Sequence, residues 1–237
     1  MESPLCFMDC EKRELFESEL KLLQRREKHP YLHYLIKYLN NGDLLLDLGC
    51  GLLVNSNYLK DNGFNVVGLD ISFEMLVLNE KKTLPLICGD GLKLPFKENS
   101  FGSLLLVDII EHLPEEKVDE FIEETRRVLK DSGVIFLHIP LEKSLSYKVL
   151  NKLEMIWPKN PNHLHDYNLK EITQFIEREK YRILWEHKEN GIAYFLGHYL
   201  RGIKLFIIVS KFLWRNLQNV FTTSYTACLS LRPYSNE

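Results

Sequence analysis

The sequence lacks the cysteine pattern of an extracellular or zinc-binding domain. Its 237 residues include only five cysteines, and no two of them form a Cys-x-x-Cys pair. An odd number of scattered cysteines predicts neither a disulfide framework nor a zinc knuckle. We therefore expect a protein of the reducing cytoplasm.

Membrane-targeting segments are also missing from the sequence. The N-terminus shows no basic region followed by a long apolar run, so we expect no signal peptide. Basic side chains interrupt the most apolar part of the C-terminal third, 192–221, which argues against a membrane-spanning helix. These side chains are Arg201, Lys204, Lys211 and Arg215. The sequence predicts a soluble protein.

An excess of charge of one sign is absent as well. The formal net charge is -3 and the isoelectric point is about 6.3, which argues against a general nucleic-acid binder. We expect no nucleic-acid partner. A chain of 28.0 kDa with 45% hydrophobic residues can form one large α/β domain, which we prefer to two small ones.

Short apolar strands alternate with helical segments along most of the chain. Five such alternations predict an α/β fold with a parallel, doubly wound sheet and right-handed crossovers. Two N-terminal helices, 11–28 and 31–39, are predicted either to cover one sheet edge, which we prefer, or to form a substrate lid. The predicted strands are 44–48, 65–70, 85–90, 101–108 and 134–139, and the predicted helices between them are 55–62, 73–82 and 115–130, with a further helix at 169–179 and strands at 181–187 and 224–231.

The stretch from Leu44 to Gly51 is the point on which the functional interpretation depends. Apolar residues on both sides of Asp47 indicate a strand that is buried on both faces, and Gly49 and Gly51 allow a tight turn that can approach a ligand closely. A strand, a glycine-rich turn and a helix serve dinucleotides and other adenosine cofactors alike. The turn alone therefore does not identify the ligand.

Acidic residues follow the predicted strands at the edge where doubly wound sheets bind ligands. Asp70 lies 23 residues after Asp47, close to the interval at which an acid accepts hydrogen bonds from a ribose diol. Asp90 is placed to accept from the exocyclic amine of an adenine, with Ile71 and Leu92 against the ring faces. A single acid of this kind can instead be a helix cap, but several in register indicate an adenosine-bearing ligand.

These segments together resemble the class I S-adenosylmethionine-dependent methyltransferases, in the UbiE/UbiG-like, type 11 group. The resemblance covers about 44–140, and its motifs are Leu46-Asp47-Leu48-Gly49-Cys50-Gly51, Val67-Gly68-Leu69-Asp70-Ile71-Ser72, Gly89-Asp90-Gly91-Leu92-Lys93-Leu94-Pro95-Phe96, Asp108-Ile109-Ile110-Glu111-His112-Leu113 and Leu129-Lys130-Asp131-Ser132-Gly133-Val134-Ile135. It implies a Rossmann-like sheet of seven strands, mostly parallel with an antiparallel last strand, and helices on both faces.

The resemblance also implies S-adenosylmethionine as cofactor and a set of residues that bind it. Asp47 and the backbone of the glycine turn would hold the methionine end, Asp70 the ribose, and Asp90 with its neighbours the adenine. Asp108 and Ile109 would lie beside the sulfonium and the substrate. The full predicted set is Asp47, Gly49, Cys50, Gly51, Asp70, Ile71, Met75, Asp90, Gly91, Leu92, Asp108 and Ile109.

The chain departs from the family pattern at Leu53, where relatives usually have another glycine. Its side chain would either crowd the methionine carboxylate or point into the fold. The neighbouring Val54 also argues against a nicotinamide cofactor, because a Gly-x-Gly-x-x-Gly turn needs a small residue there.

Methyl transfer requires alignment of the acceptor rather than a nucleophilic side chain. An oxygen acceptor must also lose a proton, for which His112, His163 and His165 are the candidate bases. Asp108, Glu111 and His112 resemble the metal-binding segment of some UbiG-like and RNA-end methyltransferases, with His163 or His165 as the source of a further ligand. Such a site would suit magnesium or manganese. His112 can instead cap the strand-to-helix turn, and we expect no metal.

The C-terminal third is predicted to lie on the acceptor side. The polar and aromatic loop 160–167 either helps to form the acceptor pocket or only contacts solvent. An insert at 193–219 has one apolar and one basic stripe, so it either packs on its own domain or makes a peripheral membrane contact. We divide a single domain into N-terminal helices (1–43), a cofactor-binding core (44–140) and an acceptor-side region (141–237).

These observations predict a methyltransferase that acts on an oxygen or nitrogen of a small-molecule or lipid-like acceptor. The alternatives are a non-catalytic binding protein that retains the fold, for which Leu53 is the best support, and a nicotinamide-dependent oxidoreductase. Neither the acceptor nor the oligomeric state can be read from the sequence.

Overall fold

A computed structural model describes residues 29–40, 42–79, 84–152, 160, 162–190 and 222–230. It contains seven strands in one mixed sheet, in the order β3-β2-β1-β4-β5-β7-β6. The strands are β1 (Leu44–Leu48), β2 (Asn65–Asp70), β3 (Leu86–Cys88), β4 (Phe101–Val107), β5 (Leu129–Pro140), β6 (Arg182–Asn190) and β7 (Thr222–Ser230). This is the predicted Rossmann-like sheet of seven strands.

Short helices alternate with the strands, as the sequence predicts. The α-helices are α1 (Leu32–Leu35), α2 (Val54–Asp61), α3 (Phe73–Val77), α4 (Val118–Val128), α5 (Leu145–Lys152) and α6 (Leu169–Arg178), and 3-10 turns lie at Ile36–Tyr38, Ile110–His112 and Glu115–Lys117. Ser72 caps α3, because its hydroxyl accepts a hydrogen bond from the Met75 amide at 3.2 Å.

The chain divides into two compact units. The first unit contains Met1–Leu105 and Glu123–Lys130, and the second contains Leu106–Ile122 and Asp131–Glu237. That the whole chain forms a single domain stays a prediction.

Parallel strands form the sheet of the first unit. Leu44 is paired with Asn65 across β1 and β2, and Gly68 with Leu86 across β2 and β3. The residues of β1 after Leu44 are all buried, as expected for a parallel strand that is covered on both faces. Because β1 and β2 run parallel, the turns that follow them emerge at the same edge of the sheet.

The second unit contains the antiparallel part of the sheet. β7 pairs antiparallel with both β5 and β6. Ser230 of β7 lies opposite Val134 of β5 on one side and opposite Arg182 of β6 on the other. Nearly every residue of β7 is buried. The antiparallel last strand implied by the resemblance is therefore confirmed.

The largest differences from the predicted boundaries lie around α4 and α3. The predicted helix 115–130 begins instead as a 3-10 turn after Pro114 and continues as α4 only to Val128. Residues 131–133, which separate the predicted helix 115–130 from the predicted strand 134–139, lie within β5, because pairing in the sheet outweighs the local turn preference of Asp-Ser-Gly. The predicted helix 73–82 is described only as α3, and 80–83 lie outside the described residues.

Several predictions lie outside the described residues, including the N-terminal helix 11–28 and the insert 193–219 with its membrane contact. Within the part of the chain that the structure describes, each helix is too short or too polar to cross a bilayer. The described cysteines Cys50, Cys88 and Cys228 are free thiols.

Candidate functional site

The turn between β1 and α2 has a left-handed backbone at alternate positions. Gly49 has a φ of 68°, Gly51 of 46° and Leu53 of 61°. The amides of Gly49 and Cys50 both donate to the Leu69 carbonyl, at 2.8 and 3.1 Å. Glycine adopts this backbone without steric cost, so the two glycines explain how the chain turns sharply and remains tied to β2.

Asp70 joins this turn to the one that follows β2. One carboxylate oxygen accepts from the Gly51 amide at 2.8 Å, and the other accepts from the Ser72 amide at 2.9 Å. A carboxylate oxygen offers two lone-pair directions, so each one retains a direction for a further donor. The arrangement fits a ribose diol, which would supply one hydroxyl to each oxygen.

Asp47 lies beneath the turn rather than on its surface. It is 3% exposed, and the Ser56 hydroxyl of α2 donates to its carboxylate at 2.5 Å. Burial raises the pKa of Asp47 to about 7; the hydrogen bond from Ser56 opposes this change and the negative charge of Asp70 adds to it. In this structure Asp47 supports the turn from inside, and its predicted contact with the methionine end stays a prediction.

Two side chains of the turn point into the fold. Cys50 and Leu53 are buried in a cluster with Leu76 and Leu84. Gly68 faces this cluster, since a β-carbon built there would lie only 2.8 Å from the Cys50 sulfur. Cys50 can therefore contact a ligand at the turn only through its backbone. The Leu53 side chain points into the fold and does not crowd the surface of the turn.

Replacing Leu53 tests this packing. We expect Leu53→Ala to lower the free energy of unfolding by about 2 kcal/mol, because a buried leucine is truncated. Leu53→Gly should be at least as stable as Leu53→Ala, because the φ of 61° at this position favours glycine. In a helix or strand the order would be reversed, since glycine there is less stable than alanine by up to about 1 kcal/mol. Urea unfolding of both variants measures the order, and a clearly more stable alanine variant would contradict the left-handed backbone.

Apolar side chains flank the carboxylate of Asp70. Ile71 is 73% exposed, which is unusual for a large aliphatic side chain. The Met75 methyl group lies 3.8 Å from the position of a β-carbon on Gly51. An exposed apolar surface next to this carboxylate has the character that the face of an adenine ring would require.

The loop that carries Asp90 is held from below by α4. Asp90 is exposed, and its carboxylate accepts from the Leu92 amide at 2.9 Å. The Arg127 guanidinium donates to the Leu94 and Phe96 carbonyls at 2.9 and 2.7 Å and forms a bidentate pair with Glu124. The Glu124 carboxylate in turn accepts from the Leu94 amide at 2.8 Å. The loop with Asp90, Gly91 and Leu92 is thus fixed by side chains that sequence reasoning missed.

The predicted residues of the second unit form a separate polar group. Asp108 has a φ of 53°, and its carboxylate lies 3.5 Å from Nε2 of His138. Nδ1 of His138 is 2.8 Å from the Thr226 hydroxyl. Asp108 and Ile109 therefore follow β4 directly, and His138 of β5, itself bonded to Thr226 of β7, orients the Asp108 carboxylate. The predicted contact of Asp108 and Ile109 with the sulfonium stays a prediction.

Two of the three candidate bases meet in the second unit. The His112 and His163 rings pack edge to face with centroids 4.7 Å apart. Nδ1 of His163 lies 2.9 Å from the buried carboxylate of Glu142, which also accepts from the Tyr147 hydroxyl at 3.0 Å. The sequence contains no spacing signal for Glu142 or Tyr147, because only the fold brings them to the loop.

His165 lies apart from that pair, on a cavity of the second unit. The cavity has a volume of about 590 Å³, and its lining includes His165, Tyr167 and Lys143. The His165 and Tyr167 rings are 4.5 Å apart. Burial raises the pKa of Tyr167 to about 12, so its phenol stays neutral at physiological pH.

The predicted metal set is only partly brought together. Among the described residues, the groups that could share an ion are Glu111, His112 and His163. Asp108 is not one of them, because its carboxylate faces His138. His163, one of the two residues predicted to supply a further ligand, does belong to this group.

Comparison with known proteins agrees with the fold. Residues 46–137 match a family model described as a methyltransferase domain. The crystal structure of a SAM dependent methyltransferase from Archaeoglobus fulgidus superposes with a TM-score of 0.63 at 17% identity, and the match covers 84% of this chain and 90% of that one.

The similar curated proteins match over a limited part of their length. An uncharacterised protein of Methanocaldococcus jannaschii is 38% identical over 113 residues, which are 46% of this chain and 46% of the relative. Demethylmenaquinone methyltransferase from Corynebacterium urealyticum is 34% identical over 92 residues, which are 39% of each chain. The chain thus spans less than half the length of these two relatives.

Proposed function

Since residues 46–137 form a methyltransferase domain of the class I S-adenosylmethionine-dependent type, we propose that the protein transfers a methyl group from S-adenosylmethionine. The acceptor is an oxygen or nitrogen of a small-molecule or lipid-like compound. The observation that carries the proposal is Asp70, whose two oxygens already hold the Gly51 and Ser72 amides. That geometry presents a fixed carboxylate to a ribose.

The first unit supplies the groups that would hold the donor. The backbone of Gly49 and Gly51 would hold the methionine end, and Asp70 would accept hydrogen bonds from the ribose hydroxyls. The exposed Ile71 would pack against the adenine. Met75, and the loop of Asp90, Gly91 and Leu92, complete the adenine site. Asp47 keeps the glycine turn in place from below through Ser56.

The bound donor supplies an electrophilic methyl group. The chain then has to align the acceptor and exclude water, and alignment of this kind lowers a barrier by about 7–11 kcal/mol at best. An acceptor hydroxyl must also be deprotonated. We assign this role to His165, because its ring lines the cavity beside Tyr167.

The lipid-like class of the acceptor, but not the identity of the methylated atom, is supported by the names of relatives from Corynebacterium. The Corynebacterium urealyticum protein is named as a demethylmenaquinone methyltransferase, and a related acceptor for this chain would be a small apolar ring compound with a lipid tail. A cytoplasmic location and a peripheral membrane contact through 193–219 stay predictions.

Calorimetry with S-adenosylmethionine and S-adenosylhomocysteine tests the donor. We expect both to bind at one site per chain, and NAD not to bind. Absence of binding by either would contradict the proposal and favour a scaffold that only retains the fold. Binding without transfer of a labelled methyl group to demethylmenaquinone, to extracted lipids or to small phenols and amines would favour the non-catalytic binding protein.

The role of His165 is tested by His165→Ala once an acceptor is known. With an oxygen acceptor, kcat should fall about 100-fold or more, while the affinity for S-adenosylhomocysteine should not change. With an amine acceptor that is already neutral, the decrease in kcat should be much smaller. An unchanged kcat with an oxygen acceptor would exclude His165 as the base.

A further inference from the structure

The segment between β3 and β4 depends on α4 for its position. This segment, the Asp90 loop (89–100), contains neither helix nor strand, so its backbone groups need partners outside regular secondary structure. Four hydrogen bonds join it to Glu124 and Arg127 of α4. The loop groups in these bonds are the Leu94 amide and carbonyl, the Phe96 carbonyl and the Asn99 amide.

Glu124 and Arg127 act together as one clasp. They lie about one turn apart on α4, and Nε and Nη2 of Arg127 both donate to the Glu124 carboxylate at 2.8 Å. Nη2 also donates to the Leu94 carbonyl at 2.9 Å, and Nη1 donates to the Phe96 carbonyl at 2.7 Å. The hydrogen bonds from Arg127 lower the pKa of Glu124, so the carboxylate stays ionised at neutral pH. The planar fork of an arginine reaches several acceptors in fixed directions, whereas a lysine nitrogen does not.

The clasp fixes one end of the turn that contains Asp90. At the other end, the Gly89 amide donates to the Asp70 carbonyl at 3.0 Å, and within the turn the Lys93 amide donates to the Asp90 carbonyl at 3.1 Å. Leu94 follows directly; it is 4% exposed, and its amide donates to Glu124 in the clasp at 2.8 Å. Asp90 therefore lies between two fixed points, one on the residue proposed to bind ribose and one on α4.

We propose that the clasp sets how strongly the donor site discriminates between adenine and other bases. The inference rests on the proposed function, in which Asp90 accepts a hydrogen bond from the exocyclic amine of adenine. A hypoxanthine base has a carbonyl oxygen in that place, which offers the carboxylate no proton. The site rejects such an analogue only while the acceptor is aligned, because a displacement of about 1 Å exceeds the range of a hydrogen bond. Glu124 and Arg127 are positioning residues, since they act on the base through the loop.

Calorimetry with S-adenosylhomocysteine and its hypoxanthine analogue, S-inosylhomocysteine, tests the inference. The wild type should bind the adenine compound at least about 30-fold more tightly, the contribution of one hydrogen bond to a charged group. Arg127→Lys keeps the charge but not the fork, so the affinity for S-adenosylhomocysteine should fall about 10-fold and the preference to about threefold. Its affinity for S-inosylhomocysteine should stay within about twofold of the wild-type value. Glu124→Gln should lose less of the preference, because its amide oxygen still accepts from Arg127.

Hydrogen exchange of the Leu94 amide reports on the clasp without a ligand. This amide donates to Glu124 at 2.8 Å, and in Arg127→Lys it should exchange at least about 10-fold faster than in the wild type. The amides in the centre of β1 and β2 should keep their wild-type rates. A general loss of stability would instead accelerate exchange in these strands and weaken both ligands equally, so the two measurements separate positioning from support of the fold.

Arg178→Lys is the matched control, because Arg178 of α6 is also paired with acidic side chains, those of Asp119 and Glu179. It should leave both affinities unchanged. Glu124→Gln keeps the test valid if Arg127→Lys fails to fold. Wild-type protein that binds neither compound would contradict the proposed function and this inference with it. A wild type without a preference, or folded Arg127→Lys that binds S-adenosylhomocysteine with the full wild-type preference, would overturn this inference alone.

Discussion

Asp70→Ala is expected to weaken binding of S-adenosylhomocysteine on the order of 1000-fold. The proposal gives Asp70 two hydrogen bonds from the ribose, and a hydrogen bond to a charged group contributes about 2 kcal/mol. Two of them correspond to about 4 kcal/mol, or about three factors of ten in the dissociation constant. The variant also loses the acceptor of the Gly51 and Ser72 amides, so the turn itself becomes less fixed. Calorimetry with S-adenosylhomocysteine measures the change.

Asp61→Ala is the control for this experiment, because Asp61 is exposed at the end of α2 and should leave the affinity unchanged. Asp70→Asn should lie between the two, since one oxygen remains to accept. Folding must be followed by urea unfolding in parallel, so that loss of affinity is separated from loss of structure. A folded Asp70→Ala protein whose affinity is within threefold of the wild type would contradict the assignment of the ribose site.

Asp47→Asn is expected to stabilise the protein above neutral pH. The pKa of Asp47 is raised to about 7 in the fold, whereas a free aspartate titrates near 4. The folded state therefore binds the Asp47 proton more tightly than the unfolded state does. The resulting contribution to the free energy of unfolding is fully present below about pH 4 and is lost as the pH rises to about 7. The difference corresponds to about 4 kcal/mol. Asparagine carries no charge at any pH and can still accept from Ser56.

Urea unfolding of wild type and Asp47→Asn at pH 5 and pH 8 measures this effect in the absence of ligand. Between these values the variant should gain about 3 kcal/mol relative to the wild type. Asp61→Asn, an exposed change of the same kind, should show no such pH dependence. A constant difference between wild type and Asp47→Asn would mean that the carboxylate reaches water and titrates normally.

The strands at the site could be predicted from the sequence almost to the residue. β1 and β2 begin and end where the apolar runs begin and end, because a strand buried on both faces tolerates little else. The glycines and acids at their ends follow from the same pattern. Helix boundaries were less predictable. α4 begins three residues later and ends two residues earlier than the predicted 115–130, because a 3-10 turn and the sheet take over the flanking residues.

The direction of individual side chains could not be predicted. Asp47 and Asp70 both end apolar strands, yet one is buried against Ser56 while the other faces the turn. Their alternation is decided by the pleat of β1 and β2 and by what α2 places nearby. The partners of the histidines were equally hidden, because Glu142 and Asn162 reach them only through the path of a loop.

The hold of α4 on the loop of Asp90 has a consequence for how ligand preference can evolve. Arg127 contacts the Leu94 and Phe96 carbonyls, which follow Asp90 in the same loop, so a change at this helix would shift the loop without altering any of the proposed nucleoside-binding residues. Selectivity for the base could therefore drift through substitutions that a survey of pocket residues alone would overlook.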